Sequence, residues 1–249
     1  MTEYVDVAIE AVTFDYWNTL VYESGGQLRG RRLEAWAGIL EDTGFAIERE
    51  RLEATFDSAW DRYVEHWTAN QQFHAVQAAE HILEQLGFDI PPAAQEKLTD
   101  AFTNAGAGVD FHLVDGITDT LQALKDAGLK LGIICDVGFT PSDVLRDHLI
   151  RRGLLPLFDH WSFSDEVGAY KPAPEIFTHA LEGLGGPAPE RTAHVGDLRR
   201  TDITGAMNMG MLAVRYTGVF DDPTDGPDGD IVVASMADLP AALGIATSD

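Results

Sequence analysis

Asp15 stands in "FDYWNTL" (residues 14–20), directly after an apolar run, where a strand gives way to a loop. Three more chemical signals fall in similar places. Cys135 and Asp136 end and follow the run "LKLGIIC" (129–135), Lys171 stands in "GAYKPAPEIF", and "HVGDLRRTD" (194–202) carries two further carboxylates, Asp197 and Asp202. A lone aspartate at a strand end is usually a cap or a turn former. Four coincident strand-end signals outweigh that reading, because strands of one parallel sheet bring their carboxyl ends to a common edge.

In "GDLRRTD", Gly196 permits a tight turn, and Asp197 and Asp202 open the next helix with the oxygen ligands that a hard cation takes. Mg²⁺ would bridge them to Asp15. With such a cation offsetting carboxylate–phosphate repulsion, Asp15 can attack phosphorus and form an aspartyl phosphate, while Lys171 supplies the remaining positive charge.

The elements that must position these residues follow from periodicity. Short apolar runs at 7–14, 129–135, 192–196, 211–216 and 230–234 predict strands of a covered sheet. Helical patterns at 116–127, 141–152, 173–184, 201–209 and 236–243 alternate with them. The fold class is therefore α/β, a doubly wound parallel sheet. The stretch from about 22 to 109 is different: "RRLEAWAGILEDTG", "ERLEATFDSAWDRYVEHW", "HAVQAAEHILEQLG" and "PPAAQEKLTDAF" repeat at helical spacing with no convincing strand. It reads as a helical cap inserted after the first strand and expected to act as a lid over Asp15. The expected division is a core of 1–20 and 110–249 and a cap of 21–109.

Composition narrows the partners. The 249 residues are 45% hydrophobic and 23% charged, and no apolar run approaches the roughly 20 residues that cross a bilayer. With 41 acidic against 17 basic residues, the formal charge of −24 would repel nucleic-acid backbones and anionic lipid, leaving a small molecule as the expected partner. Only four of the cations are lysines (Lys97, Lys125, Lys130, Lys171), a composition that also fits a high-salt cytoplasm. The opening "MTEYVDVAIE" lacks the basic region and long apolar stretch of a signal peptide, and the lone Cys135 can form no internal disulfide. A cytoplasmic location is expected; the oligomeric state is open. The acidic run "DDPTDGPDGD" (221–230) does not have calcium-loop spacing and reads as a solvated loop.

The motifs "TFDYWNTL", "LGIIC", "YKPAPEIF" and "GDLRRTD" resemble, in order, those of the haloacid dehalogenase superfamily, mostly Mg²⁺-dependent phosphohydrolases with a Rossmann-like core. The resemblance covers essentially the whole chain. It implies Asp15 as nucleophile and metal ligand, the Trp17 carbonyl and Asp197 as further ligands, Asp202 as support, Thr19 and Cys135 at the phosphate, and Lys171 as the catalytic cation.

Two positions depart from the pattern. Family phosphatases usually carry a second aspartate where Trp17 stands, and indole can neither protonate a leaving group nor activate water. Cys135 replaces a Ser or Thr, and a thiol donates poorly to phosphate; the other reading is a small buried core residue. Asp136 is a candidate replacement acid–base group, against its reading as a turn residue.

Family dehalogenases also lack the second aspartate and have an aromatic Tyr there, so a 2-haloacid dehalogenase with Asp15 attacking carbon is the first alternative. They need no metal, however, and the acidic "GDLRRTD" is foreign to them. The second alternative is a non-catalytic metal-binding member. Phosphonate-cleaving relatives need a cap lysine, for which Lys97 is poorly placed.

Arg29, Arg31 and Arg32 are candidates for a substrate or halide contact, against a solvated helix start. Trp36, Trp60, Trp67 and Phe73 read as bundle core rather than pocket lining. His81 and Glu84 share a helix face without forming a metal motif.

Overall fold

A computed structural model describes residues 8–245. In chain order the elements are β1 (Ala11–Phe14), β2 (Val21–Tyr22), α1 (Gln27–Asp42), α2 (Arg49–Thr68), α3 (Ala75–Leu86), α4 (Pro92–Thr103), β3 (His112–Leu113), α5 (Ile117–Asp126) and β4 (Lys130–Cys135). There follow α6 (Ser142–Arg151), β5 (His160–Phe163), α7 (Ser164–Val167), α8 (Pro174–Gly183), β6 (Thr192–Gly196), a π-helical turn (Arg199–Ile203), α9 (Thr204–Met209), β7 (Leu212–Tyr216), β8 (Ile231–Val233) and α10 (Leu239–Ala242).

Six strands form one sheet in the order β5-β4-β1-β6-β7-β8, every neighbouring pair parallel. All residues of β1 and β6 are buried, as strands covered on both faces must be. From β1 the chain builds outward through β4 and β5, then returns to the other side of β1 for β6, β7 and β8. The order therefore reverses between β1 and β6, and a crevice opens at their carboxyl ends.

One face of this sheet is sealed by α8 and α9. In α8, Ile176, Phe177, Ala180 and Leu181 recur at helical spacing and are buried; all but Leu181 join Ile134, Ile203, Ala206 and Ala213 in one cluster. Gly205 lets the two helices meet, because a Cβ there would lie 2.4 Å from the Phe177 ring.

The described residues group into two compact units. One takes in the chain up to Tyr22, Phe111–Asp136 and the chain from Ile150 on; the other takes in Glu23–Asp110 and Val137–Leu149. The second unit is helical, and its core joins Trp36, Phe56 and Phe102 in edge-on and tilted contacts with centroids 5.5–6.1 Å apart. Among the described residues no helix is long and apolar enough to cross a membrane.

Several expectations change. Val7, the first residue of the expected first strand, lies outside the described residues. Strand β5 was not expected: "HWSF" is an edge strand with His160 and Trp161 half-exposed, so it carries no continuous apolar run. The pairing of β2 with β3 is two residues long on each side, too short for a period to show. The helix expected at 201–209 starts two residues earlier, as the π-helical turn.

Arg32 is not solvated. It is buried, and donates from Nε to the Phe102 carbonyl (2.9 Å) and from Nη2 to the Phe139 carbonyl (2.6 Å) and Thr140 Oγ1 (3.2 Å). Burial lowers its pKa to about 10, against the pull of Glu23. Of the helical-unit aromatics, Trp36 and Phe73 are core, whereas Trp60 is 52% exposed. The acidic loop 221–230 is also not simply solvated, since Asp222 is buried and arginines hold the loop down.

Candidate active site

Asp15 follows β1, and its N–H donates to the Val195 carbonyl (2.8 Å), so the β1–β6 pairing carries it to the crevice. The turn beyond it closes on itself: the Leu20 and Val21 amides both donate to the Tyr16 carbonyl (2.9 and 3.1 Å). Asn18 stands at φ 58°, a left-handed conformation that asparagine tolerates. From there its Nδ2 donates to Asp197 Oδ2 (3.0 Å).

Lys171 is the hub. Its buried Nζ donates to Asp15 Oδ1 (2.5 Å), Asp202 Oδ1 (2.6 Å) and the Ile134 carbonyl (3.0 Å), which uses all three of its donors. Its backbone N–H donates to Asp136 Oδ1 (2.8 Å). This gives Asp136, considered above as an acid–base group, a visible task in positioning Lys171.

Asp202 is fixed from its other side. Oδ2 accepts the Leu198 N–H (2.9 Å), and Oδ1 also lies 3.2 Å from His194 Nε2. His194 Nδ1 in turn lies 2.9 Å from Thr13 Oγ1, its neighbour across the β1–β6 pairing. Burial lowers the His194 pKa against the pull of Asp202. A neutral ring satisfies both contacts if Nε2 carries the proton toward Asp202 and Thr13 donates to Nδ1. Gly196 is required here, because a Cβ on it would lie 2.3 Å from Asp202 Cγ.

Charge does not balance in this cluster. Asp15, Asp197 and Asp202 each place one oxygen within 4.8 Å of the others, all three are buried, and Lys171 is the cation among them. Burial raises the Asp15 pKa to about 7, with Lys171 opposing and Asp202 adding to the rise. Burial, then repulsion from Asp15 and Asp202, likewise pushes Asp197 well above the carboxylate range. Burial would raise Asp202 too, but Lys171 and His194 outweigh it and hold that group below the range. Lys171 stays above its ordinary value: burial works against the charge, and Asp15, Asp202 and Asp136 overcome it. An all-oxygen set with surplus buried negative charge fits a hard divalent cation.

Thr19 is fully buried, and its Oγ1 has no hydrogen-bond partner among the described residues. A buried hydroxyl left this way is suited to a ligand oxygen. Cys135 is buried; its Sγ reaches the Asp136 carbonyl at 3.6 Å, and burial keeps the thiol from ionising. The half-buried Trp17 packs edge-on against Tyr16 and Phe111, with both centroid distances 5.1 Å. His194 and Asn18 were missed at the level of sequence; the only available signal for His194 was a lone polar residue inside a buried strand.

A family model described as haloacid dehalogenase-like hydrolase matches residues 9–210. The chain belongs to that family. It is therefore a hydrolase by family, and the parallel six-stranded sheet described above is the fold of that family.

Over 227 residues the chain is 30% identical to a glyceraldehyde 3-phosphate phosphatase of Methanopyrus kandleri, covering 90% of this chain and 91% of the relative. It is 40% identical over 121 residues to a protein of the same name from Methanocaldococcus jannaschii, where the match spans 48% of this chain and 51% of the relative. A solved 2-haloacid dehalogenase of Pseudomonas syringae superposes with a TM-score of 0.71 at 23% identity, covering 95% of this chain and 98% of that one, which shows the shared fold.

Proposed function

We propose that this haloacid dehalogenase-like hydrolase is a Mg²⁺-dependent phosphatase of a small phosphorylated metabolite, acting through an aspartyl phosphate on Asp15. The observation that carries the reading is the buried cluster of three carboxylates around one lysine at the sheet's switch point. The near-full-length similarity to a protein named as a glyceraldehyde 3-phosphate phosphatase supports it. Asp15, Asp197 and the Trp17 carbonyl would hold the ion, with Asp202 supporting it through Lys171 and the 199–203 turn. When bound, the ion supplies Lewis-acid charge that lets a phosphoryl group approach the carboxylates.

In this scheme an Asp15 carboxylate oxygen bonds to phosphorus as the bond from phosphorus to the leaving oxygen breaks. Lys171 offsets charge developing on the phosphoryl oxygens, and the unpartnered Thr19 hydroxyl donates to one of them. Water then adds to phosphorus, the acyl–phosphate bond breaks, and inorganic phosphate leaves Asp15 as a carboxylate again. The Trp17 side chain assists neither step, because an indole N–H does not give up its proton and the ring has no lone pair to take one. The leaving oxygen departs unprotonated by the protein, and water attacks without a base from that position. Losing such help costs about 10²–10⁴-fold, so turnover is slow and favours good leaving groups.

The test is phosphate release from a panel of phosphate monoesters with and without Mg²⁺, with Asp15→Asn as control. Metal-dependent release that vanishes in the variant supports the proposal. Metal-independent halide release from 2-haloacids would replace it with the dehalogenase reading, which the aromatic Trp17 favours. Mg²⁺ binding with no turnover on either panel would make the chain a binding member.

A further inference from the structure

The turn that presents Asp197 and Asp202 has an unusual support. Its first amide, Leu198 N–H, is satisfied by Asp202 itself. The next, Arg199 N–H, donates instead to Oδ2 of Asp222 (2.8 Å), a residue 23 positions further on in the loop between β7 and β8. Asp222 is 4% exposed, and its other oxygen accepts the Thr224 N–H (3.0 Å), so the carboxylate is held as well as holding.

Arg199 returns the contact through its side chain. Nε donates to the Asp222 carbonyl (3.1 Å), Nη1 to the Gly226 carbonyl (3.0 Å), and Nη2 pairs with Asp228 (2.7 Å). The last pair is more exposed, with the Asp228 side chain at 60%.

We infer that Asp222 is a positioning residue for the candidate metal site: it caps the 199–203 turn from outside the motif and so sets where Asp197 and Asp202 point. A helix start leaves its first amides unsatisfied, and a carboxylate accepting one of them also suits the positive end of the backbone dipole. With Asp222 removed, the Arg199 amide loses its partner in a part-buried place, and the turn is free to rearrange between the two carboxylates it spaces. The inference rests on the metal reading only for its consequence; the capping itself stands on the hydrogen bonds.

Two measurements separate these. The first is hydrogen exchange of the 198–203 amides in metal-free protein. Asp222→Ala should speed exchange there by about tenfold or more, the usual worth of a bond to a charged acceptor. Asp228→Ala, which removes the exposed pairs of Asp228 with Arg199 and Arg215 but leaves the Asp222 cap in place, should change it little. Asp222→Asn, which keeps one acceptor oxygen, should fall between the two and decides the point if the alanine variant does not fold.

The second is Mn²⁺ affinity by titration. Asp222→Ala should weaken binding several-fold at a melting temperature matched by Asp228→Ala. Wild-type exchange rates in Asp222→Ala, or equal effects from Asp228→Ala, would overturn the inference. Failure of the wild-type protein to bind Mn²⁺ would instead overturn the metal reading, with the exchange experiment still deciding the role of Asp222.

Discussion

Replacing Lys171 with methionine keeps the bulk of the side chain and deletes the charge that two buried carboxylates share. Asp15 and Asp202 lie 2.5 and 2.6 Å from Nζ, and the three side chains are 9% exposed or less. Breaking a buried pair by removing one partner costs about 3–5 kcal/mol, because the remaining charge has neither water nor a counter-ion. For a chain of 249 residues each kcal/mol moves the melting temperature by about 2–4 °C, so the metal-free variant should melt roughly 6–20 °C lower.

Added Mg²⁺ should then stabilise Lys171→Met more than wild type, since a cation relieves more repulsion where the lysine is gone. A ligand at 100 times its dissociation constant contributes about 2.7 kcal/mol, enough to restore a visible share of the loss. The assay is thermal unfolding followed by circular dichroism in chelator and across a Mg²⁺ titration. Equal melting temperatures for the two proteins in chelator would refute the reasoning, because the carboxylates would then not depend on Lys171 for compensation. A smaller Mg²⁺ effect in the variant would refute the electrostatic account of the metal site.

Trp17→Asp should raise the phosphatase rate, by up to about 10²–10⁴-fold if only acid–base help is missing, as steady-state phosphate release would show; a folded, metal-binding variant with no gain counts against that explanation. Gly196→Ala forces Asp202 aside from a Cβ at 2.3 Å and should cost about 1–3 kcal/mol with a loss of metal binding, whereas Gly30→Ala in α1, where a Cβ meets nothing within 4 Å, should stabilise slightly. Calorimetric titration with Mg²⁺ and thermal melts check both.

For pH, burial raises Asp15 from 3.8 to about 7, so between those values the metal-free folded state holds a proton that the unfolded chain has released. Stability from this group is present below 3.8 and falls as pH rises to about 7, so chelated protein should melt lower at about pH 7.5 than at pH 5, with Asp15→Asn flattening the slope. Asp202, held below its ordinary 3.8 despite burial, acts in the opposite sense, but only below that pH.

The fold class was legible because β1, β4, β6 and β7 are covered on both faces and so are mostly apolar, while the helices between them show one apolar stripe. Strand β5 was not, because an edge strand escapes that requirement: His160 and Trp161 are half-exposed. The chemistry-bearing residues were legible by type and by position at strand ends, since a parallel sheet sends all its carboxyl ends one way.

What the residues do to one another was not legible. That His194 meets Asp202, that Asn18 meets Asp197 and that Asp222 caps the turn after β6 depends on contacts across 8, 179 and 23 positions of chain. Arg32 shows the same limit, since a charged residue at a helix start reads as solvated until three acceptors from elsewhere in the chain surround it. Sequence by itself determined the covered strands, the longer helices and the kinds of group brought to the sheet's edge, because burial imposes local periodicity. Only the tertiary structure decided their pairing and protonation, because hydrogen bonds and desolvation depend on distances in space that no local pattern encodes.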